Sequence, residues 1–290
     1  MSWVVVTPAR NEADRIGRVA ASLAAQTVDL VGLWVVVDDG STDGTADAVP
    51  AGLPFPVEIV RRENSGGLSG GSAFRAFWAG AEAGLSRLPD AERVMKLDAD
   101  AMLEPDYFSR LVEGCGDAAL VAGRVDEPGN QSRPDYTRGV LKAYDRAAIE
   151  LLRELPVALG YDVMDEVLLR LSGLDVRCVP DAVARVSRRT GSSEGDLDGR
   201  RRAGRVARWT GFHPLYFLAR LGRYAVRHPY GIGSIVMLWA YLTAGPGPYA
   251  ATLKAAHRAE QVSRMRSALR RSAGGRTLPS PPRSVPTRSG

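Results

Sequence analysis

Cysteine and histidine are scarce in this sequence. It has two cysteines, Cys115 and Cys178, which lie far apart and in no C-x-x-C pair. A disulfide framework and a zinc site built on cysteine pairs both need more thiols than this, so neither class of protein is expected. His213 and His228 each precede a proline, which favours a place at a helix start over a place in a metal site.

An apolar run long enough to cross a membrane is also lacking. The run "IGSIVMLWAYLTA" has thirteen residues, whereas a spanning helix needs about 20 and runs of this length are more often core or interfacial helices. The N-terminal "MSWVVVTPAR" has too short an apolar run and no basic lead-in for a signal peptide. We therefore expect the protein to act in the cytoplasm.

Acidic residues are nearly missing from the last third of the chain. From Gly199 onward there is one, Glu260, against seventeen Lys and Arg, whereas the preceding part holds 32 acidic and 21 basic residues. Such an asymmetry indicates a basic module that meets a polyanion or an anionic membrane. Because the front part is acidic, a nucleic-acid partner is not expected.

The basic part divides into a helical module and a tail. Tyrosines and Trp239 flank the apolar run, as in a headgroup-level aromatic belt. We therefore expect residues 191–262 to lie on an anionic membrane, peripherally on the inner face of the cell membrane. The alternative is a helical pair that packs on the rest of the protein or forms a homodimer contact. Residues 263–290 are rich in Arg, Ser, Pro and Gly, a composition typical of a disordered tail.

Apolar strands alternate with amphipathic helices along the first 190 residues. The strands are predicted in "SWVVVTP", at 33–37, and in "VEIVRR", "RVMKLDAD" and "AALVAGRV". Helices are predicted up to about Ala25, after Thr42, through "SGGSAFRAFWAGAEAG", and from Pro105 as a first helical residue. This alternation predicts an α/β fold with a mainly parallel sheet covered by helices on both faces, followed by a C-terminal helical appendage.

Polar side chains follow three of these strands. Thr7, Asp38, Asp39, Asp98 and Asp100 all fall at carboxyl ends, where ligands of such sheets bind. In "DAD" the two aspartates are at i and i+2 and point to the same side of a strand. Paired hard oxygens suit Mg²⁺ or Mn²⁺ held together with substrate phosphates. Taken alone, the triplet is better explained as a solvated strand end with a polar turn, because D-x-D triplets are common.

A glycine-rich segment, "ENSGGLSGG" at 63–71, precedes the third predicted helix. Glycines before a helix let backbone N–H groups approach a phosphate, and the alternative is a flexible loop. The place of the segment after the third strand favours ligand contact, at Gly67 and with Arg75 nearby. Lys142 in "RGVLKAY" is better explained as a solvated lysine or a structural ion pair than as a catalytic group.

The motifs "VVVTPARNE", "VVVDDGSTDGT" and "KLDADAML", in this order, resemble the nucleotide-sugar half of family 2 glycosyltransferases, which have the GT-A fold. "RGVLKAYDR", "LGYDVMDEVLLRL" and "VRCVPDA" resemble the acceptor half. The resemblance covers residues 1–190, with 1–125 as the first half and 126–190 as the second. It implies transfer of a sugar, with inversion, from a nucleotide diphosphate sugar to an acceptor hydroxyl, and a divalent metal, Mn²⁺ or Mg²⁺.

The resemblance also implies roles in donor binding. Asp39 would hydrogen-bond the nucleotide base with Asp38 beside it, and Thr7 and Pro8 would line the same pocket. Asp98 would sit near the ribose and the metal, with Asp100 as the direct metal ligand. A UDP-sugar is expected in preference to a GDP- or dTDP-sugar.

The acceptor side is implied by the segment "GYDVMDE". It matches a subgroup pattern G-x-D-x-x-D-E, in which Asp165 falls at the acceptor-activating carboxylate and Glu166 is the neighbouring alternative. The other interpretation of Asp165 is a charge at the start of a helix over 165–172, favourable to the helix dipole. Many members have a histidine after the next strand; here the segment is "ARVSRRTGSS", in which Arg188 and Arg189 could bind diphosphate instead.

The acceptor is expected to be a glycan, a lipid-linked intermediate or a small molecule, in polysaccharide, glycolipid or glycosylated-metabolite biosynthesis. A sugar-phosphate nucleotidyltransferase is a second class, but it would begin with a glycine-rich phosphate loop, where this chain has "TPARNEADR". A non-enzymatic membrane or nucleic-acid binding protein is a third class. Three carboxylate clusters at the binding edge of a sheet would be costly in such a protein without a cation.

Overall fold

The computed structural model describes residues 1–63, 71–128, 137–187, 195–226 and 228–274, with side chains up to residue 267. Within these ranges the strands are β1 Trp3–Ala9, β2 Val31–Asp39, β3 Val57–Arg62, β4 Arg93–Leu97, β5 Ala101–Leu103, β6 Leu120–Asp126, β7 Leu141–Asp145 and β8 Val176–Val186. The helices are α1 Ile16–Ala24, α2 Ser72–Arg87, α3 Tyr107–Cys115, α4 Arg146–Leu152, α5 Tyr161–Leu171, α6 Asp196–Trp209, α7 Pro214–Ala225, α8 Tyr230–Thr243 and α9 Ala251–Gly274.

The eight strands form one sheet in the order β3-β2-β1-β4-β7-β6-β8-β5. The first four are parallel, as are β6 and β8, while β7 runs antiparallel to both of its neighbours and β5 antiparallel to β8. The parallel character that the sequence predicted therefore holds for the half of the sheet that carries the three polar strand ends. The α/β architecture with helices on both faces is confirmed.

Alternating residues of the strands enter two separate cores. In β1, Trp3 and Val5 pack on one face with helices α1 and α3, while Val4 and Val6 pack on the other with α2 and α5. Because both faces are covered by helices, each strand is apolar at successive positions and not only at alternate ones. This explains why the parallel strands read as continuous β-branched runs.

Four local predictions differ from the structure. No helix follows Thr42, because the side chain of Asp43 accepts hydrogen bonds from the backbone N and the hydroxyl of Thr45 and folds residues 45–48 into turns. Helix α3 begins at Tyr107, so Pro105 precedes it and is not its first residue. Strand β5 has only three residues and gave no recognisable signal. Helix α5 begins at Tyr161, four residues before the predicted start.

The C-terminal helices share a core with the sheet. Tyr249 and Leu253 belong to the same hydrophobic cluster as α2 and α5, and the Tyr249 hydroxyl donates to the carbonyl oxygens of Ala158 and Leu159 at 3.1 and 3.2 Å. Helices α6, α7 and α8 enclose a small core of their own around Phe217. Helix α9 continues to Gly274, so the tail predicted from residue 263 begins as helix, and residues 275–290 lie outside the described ranges.

Helix α8 contains the apolar run seen in the sequence. Among the described residues, no helix combines the length and the apolar character that crossing a membrane requires.

Candidate active site

Two loops at the carboxyl edge of the sheet are joined by hydrogen bonds between their polar residues. The backbone N of Glu12 donates to the Thr45 hydroxyl at 2.9 Å, and that of Ala13 donates to the Asp43 carboxylate at 3.1 Å. The Asn11 side chain accepts from the backbone N of Thr42 at 2.9 Å. The motifs "ARNE" and "GSTDGT" therefore act together, since each loop supplies the hydrogen-bonding partners of the other.

Asp38 and Asp39 end strand β2 beside these loops. Both are buried, and Asp38 accepts a hydrogen bond from the backbone N of Ser41 at 2.8 Å, which closes the turn after the strand. Asp39 pairs with Arg62 across the parallel β2–β3 ladder, where the guanidinium lies 3.4 Å from its carboxylate. The structure thus places Asp39 at the sheet edge with a cation as its neighbour.

Thr7 does not present its side chain to this edge. It is fully buried, and its hydroxyl accepts a hydrogen bond from the Trp34 indole N–H at 2.9 Å. The side chain therefore belongs to the core on the face of Trp3 and Val5. Pro8, the next residue, is partly exposed.

Asp98 and Asp100 lie in a tight turn between β4 and β5. The backbone N of Asp98 donates to the Val140 carbonyl, and the Asp98 carbonyl accepts from Ala101 N, each at 3.0 Å. Both aspartates are partly exposed while the intervening Ala99 is buried. A turn, and not a continued strand, therefore carries the two carboxylates.

Lys96 is a buried residue of this site that the sequence reasoning missed. Its ammonium forms an ion pair with Asp98 and donates to the Gly139 carbonyl oxygen at 2.7 Å, and it lies 5.2 Å from the centre of the Phe74 ring. A signal was present in the sequence: a lysine inside an apolar strand, two residues before an aspartate, points to the same side as that aspartate.

Lys142 lies directly opposite Lys96 in the antiparallel β4–β7 ladder. Its side chain is fully buried, and its ammonium contacts Asp165 and Glu166 at 2.9 Å and the Asp162 carbonyl oxygen at 2.6 Å. Although burial by itself lowers it, the surrounding carboxylates hold the pKa of Lys142 above its usual value. Of the two interpretations given to Lys142 from sequence, the structural ion pair is confirmed.

Asp165 is enclosed by hydrogen-bond donors. It is fully buried, and its oxygens accept from the Lys142 ammonium, from the Tyr144 hydroxyl at 2.8 Å and from the backbone N of Glu166 at 2.7 Å. Burial raises the pKa of Asp165 to about 6 against the opposing effect of Lys142. Its position inside α5 and not at the helix start excludes the helix-dipole interpretation.

Glu166 is held in the same network. Its carboxylate accepts from the Thr137 hydroxyl and pairs with Lys142 and with Arg170, each at 2.9 Å. Although burial opposes them, Lys142 and Arg170 lower the pKa of Glu166 below its usual value. Arg170 also contacts Glu260 of α9 at 3.4 Å, so the network links the site to the C-terminal helix.

Asp162 is the remaining carboxylate on α5. It lies in the first turn of the helix and is partly exposed. A Cβ added at Gly139 would lie 2.9 Å from its Oδ2 atom, which places the carboxylate against the segment whose carbonyl binds Lys96. Burial raises the pKa of Asp98, and the charges of Asp100 and Asp162 raise it further against the effect of Lys96. The Asp162 carboxylate and the aspartate pair therefore share one electrostatic environment.

The predicted phosphate segment is described only in part. Gly67 lies outside the described residues, as do Arg188 and Arg189. Arg75 is in the first turn of α2 and is partly exposed. Gly71, which precedes the helix, has φ of 78° and approaches the Ala158 backbone so closely that an added Cβ would lie 3.3 Å from its Cα. The positive φ and the close approach to the segment before α5 both favour glycine at this position.

The acidic groups occupy one edge of the sheet. Asp38 and Asp39 end β2, Asp98 and Asp100 follow β4, and β1 lies between the two strands, which separates the groups by about 10 Å, two strand spacings. Among the described residues no three acidic, histidine or cysteine side chains are arranged to enclose a metal ion. Two carboxylates remain a suitable partial ligand set for Mg²⁺ or Mn²⁺, which usually take the rest from substrate phosphates and water.

A parallel half-sheet with acidic turns at its carboxyl edge, continued by an acidic helix across the same edge, is the architecture of a nucleotide-dependent sugar transferase. Residues 4–160 match the family described as Glycosyl transferase family 2. The chain belongs to this family and is a glycosyltransferase, so the resemblance noted from the sequence motifs is confirmed.

Known proteins resemble the chain over most of its length. Undecaprenyl-phosphate mannosyltransferase of Micrococcus luteus is 28% identical over 267 aligned residues, which cover 77% of this chain and 100% of that protein. Residues 1–349 of S. aureus TarS, solved with UDP-GlcNAc, align with a TM-score of 0.54 at 16% identity, over 83% of this chain and 72% of that one. The mannosyltransferase PcManGT from Pyrobaculum calidifontis, solved with GDP-Man and Mn²⁺, aligns with a TM-score of 0.53 at 21% identity, over 93% and 79%. These two structures show the common GT-A fold.

Proposed function

We propose that the protein transfers a sugar, with inversion, from a nucleotide diphosphate sugar to an acceptor hydroxyl, with a divalent metal as cofactor. The observation that carries this proposal is the pair of partly exposed carboxylates, Asp98 and Asp100, in one turn at the binding edge of the sheet. Both solved neighbours contain a nucleotide sugar, and one of them also contains Mn²⁺. The nucleotide differs between them, so the expectation of a UDP-sugar has no support from these two structures.

Four aspartates have separate roles on the donor side of this proposed site. Asp38 and Asp39, with the first and second loops, would receive the nucleoside, while Asp98 and Asp100 would hold the metal. Asp100 is the direct ligand in this proposal, as the family resemblance implies, and Asp98, which pairs with the Lys96 ammonium, lies beside it. A metal held there would supply positive charge to the departing diphosphate. Inversion needs a single displacement at the anomeric carbon and therefore no enzyme nucleophile.

A metal- and donor-binding experiment tests this assignment. We expect calorimetry with UDP- and GDP-sugars to show tighter binding when Mn²⁺ is present, and Asp100→Ala to abolish that gain while keeping the melting temperature within about 2 °C. Asp117→Ala, at an exposed aspartate away from the site, is the matched control and should bind as the unaltered protein does. Equal binding by Asp100→Ala with and without Mn²⁺, at unaltered affinity, would contradict the metal assignment.

A lipid-linked acceptor is favoured by two observations. The Micrococcus luteus relative is named for a lipid phosphate acceptor, and α7 and α8 carry large apolar side chains in contact with solvent. Those of α8 recur with helical period on the side opposite Met237, which is buried against α6. The exposed set is Leu215, Tyr216, Leu218, Val226, Tyr230, Ile232, Ile235, Leu238, Trp239 and Leu242. A monomeric soluble protein rarely exposes so many contiguous apolar residues without a partner.

Arginines beside this apolar face favour an anionic surface. The guanidinium of Arg200 lies 3.9 Å from the centre of the Tyr224 ring, and those of Arg220 and Arg223 lie within 6 Å of it. Neither Arg220 nor Arg223 forms an ion pair with another described residue. We therefore propose that α6–α8 lie on an anionic membrane, with the apolar face inserted at headgroup depth, at the inner face of the cell membrane.

Vesicle flotation tests the membrane assignment. We expect the protein to float with vesicles that contain phosphatidylglycerol and not with phosphatidylcholine alone. Ile235→Ser combined with Trp239→Ser should lower the floated fraction at least tenfold, whereas Ile59→Ser, at an exposed apolar residue of β3, should leave it unchanged. If the double variant instead converts a dimer to a monomer in sedimentation and flotation is absent throughout, the face joins two copies of the chain.

A further inference from the structure

The carboxylate that the family resemblance assigns to acceptor activation is enclosed by hydrogen-bond donors of the protein itself and is closed to a substrate. Asp165 is fully buried, and donors from Lys142, Tyr144 and the backbone of Glu166 contact both of its oxygens. A general base must come within hydrogen-bonding distance of the proton that it removes. An acceptor would have to displace Lys142 or Tyr144 from the core before it could reach Asp165.

Glu166 is excluded by the same reasoning. It is buried, and its two oxygens are occupied by Thr137, Lys142 and Arg170. Its lowered pKa also makes it a weaker proton acceptor than an ordinary glutamate.

Asp162 differs from both in its surroundings. Its carboxylate is partly exposed and makes no hydrogen bond or ion pair with another described residue. It lies against Gly139, whose carbonyl oxygen accepts from the Lys96 ammonium that pairs with Asp98, so the carboxylate is close to the aspartate pair. A carboxylate that lies at the edge of the donor site and that no donor of the described residues occupies has the two properties that a base needs.

The backbone of Asp162 is held in place by a buried ion pair. Its carbonyl oxygen accepts a hydrogen bond from the Lys142 ammonium at 2.6 Å, and the same ammonium is held by Asp165. The buried ion pair therefore anchors the first turn of α5, on which the Asp162 side chain is carried. Gly139, on the opposite side, leaves room for that side chain, since a Cβ there would lie 2.7 Å from the Asp162 Cβ.

We propose that Asp162 is the catalytic base on the acceptor side and that Asp165 is a positioning residue, which acts through Lys142. This inference rests on the proposed glycosyltransferase reaction and names its proton acceptor. The acceptor oxygen forms a bond to the anomeric carbon, the bond from that carbon to the diphosphate oxygen breaks, and the acceptor proton passes to the Asp162 carboxylate. The electron pair of the broken bond leaves with the nucleoside diphosphate.

Donor hydrolysis tests the proposal without a known acceptor, because water then takes the place of the acceptor hydroxyl. The substrates are UDP-glucose, UDP-GlcNAc and GDP-mannose with Mn²⁺, and nucleoside diphosphate release is measured. We expect Asp162→Asn to lower kcat about 100-fold or more, with nucleoside diphosphate affinity within twofold and an unaltered melting temperature. Asp165→Asn should lower the melting temperature and reduce kcat per folded molecule less than tenfold. Asp175→Asn, at an exposed aspartate paired only with Arg177, is the control and should match the unaltered protein.

Carboxyl labelling tests the same assignment without turnover. With a water-soluble carbodiimide and glycine ethyl ester, followed by mass spectrometry, we expect modification at Asp162 and protection at Asp165. Retained hydrolysis in Asp162→Asn, or labelling of Asp165 ahead of Asp162, would overturn the proposal. If the unaltered protein neither binds nor hydrolyses a nucleotide sugar, the proposed function fails, and labelling still decides which carboxylate is free.

Discussion

Buried charge at individual residues defines the part of this site that β7 and α5 form. Lys142 is fully enclosed and compensated by two carboxylates, and a buried charge that loses its partner costs several kcal/mol. The sequence alone did not distinguish a solvated lysine from a structural ion pair, because the residues that surround a strand lysine are known only from the fold. Asp165 and Glu166 are adjacent in sequence, 23 and 24 residues from Lys142, and only the folding of α5 across β7 joins them.

Lys142→Met tests the structural role of this residue. The substitution keeps the side-chain volume but leaves Asp165 and Glu166 buried beside an apolar group. We expect it to lower the free energy of unfolding by about 3–5 kcal/mol, measured by denaturant titration. Arg87→Met, at an arginine whose side chain is 76% exposed and 3.6 Å from Glu58, should change stability by less than about 1 kcal/mol. A loss as small as that of the control would show that Lys142 does not stabilise the fold.

At the scale of elements, the contact between α6 and α8 depends on the absence of a side chain. A Cβ at Gly204 would overlap the Met237 carbonyl oxygen and would lie 3.0 Å from the Ala240 Cβ. The two helices can approach this closely only because Gly204 faces the Met237–Ala240 turn. The contact in turn fixes which side of α8 is buried and leaves the Ile235 and Trp239 side exposed.

Gly204→Ala should therefore separate the two helices. We expect a loss of about 1–3 kcal/mol in unfolding free energy, typical of an overpacked contact. Gly222→Ala is the matched control, because Gly222 lies in helix α7 with nothing within 4 Å of an added Cβ. There alanine should stabilise the helix by up to about 1 kcal/mol through its higher helix propensity. Equal effects of the two substitutions would contradict close α6–α8 packing.

At the scale of the whole molecule, α9 joins the C-terminal helices to the catalytic part. The His257 imidazole is buried; its Nδ1 faces the Thr210 carbonyl at 2.8 Å and its Nε2 faces the Gln261 side-chain amide at 2.9 Å. Gln261 is oriented by the backbone N of His213, which donates to its Oε1 atom at 2.7 Å. The arrangement suits a neutral imidazole that donates from Nδ1 and accepts at Nε2. Burial, with a contribution from Arg264 and against Thr210 and Glu166, lowers the pKa of His257.

This environment predicts a pH-dependent contribution to stability. Because the pKa of His257 is lower in the folded than in the unfolded chain, protons bind preferentially to the unfolded chain as the pH falls below about 6.5. The stability advantage of the unaltered protein over His257→Gln should therefore shrink between pH 7.5 and pH 5, as measured by denaturant unfolding at each pH. Comparing the two proteins removes the opposite contribution of Asp165, whose pKa is raised by burial.

A second substitution tests whether the His257 imidazole is neutral in the folded protein. Gln261→Glu places an acceptor beside His257 Nε2 and should favour the protonated imidazole, so its stability relative to the unaltered protein should rise as the pH falls. An unchanged or opposite slope in this variant would contradict the neutral imidazole.

Local chemistry in the sequence determined the alternation of strands and helices in the first half of the chain, the acidic turns that follow two of the strands, and the family. Continuous β-branched runs require burial on both faces, and short polar motifs specify turns wherever they occur. Strand β5 could not be predicted, because three residues are too few to show a periodic pattern. The helix predicted after Thr42 was wrong, because the hydrogen bond between Asp43 and Thr45 is not evident from the sequence.

Tertiary structure decided which carboxylates are free. Asp162 and Asp165 are three residues apart in one motif and chemically identical, yet one is partly exposed and the other enclosed by Lys142 and Tyr144. It likewise decided that Thr7 faces the core and that Tyr249 docks the C-terminal helices on the catalytic part. Burial and ion pairing arise from contacts between distant segments of the chain. The accessibility and the pKa of a charged side chain therefore depend on those contacts and not on its neighbours in sequence.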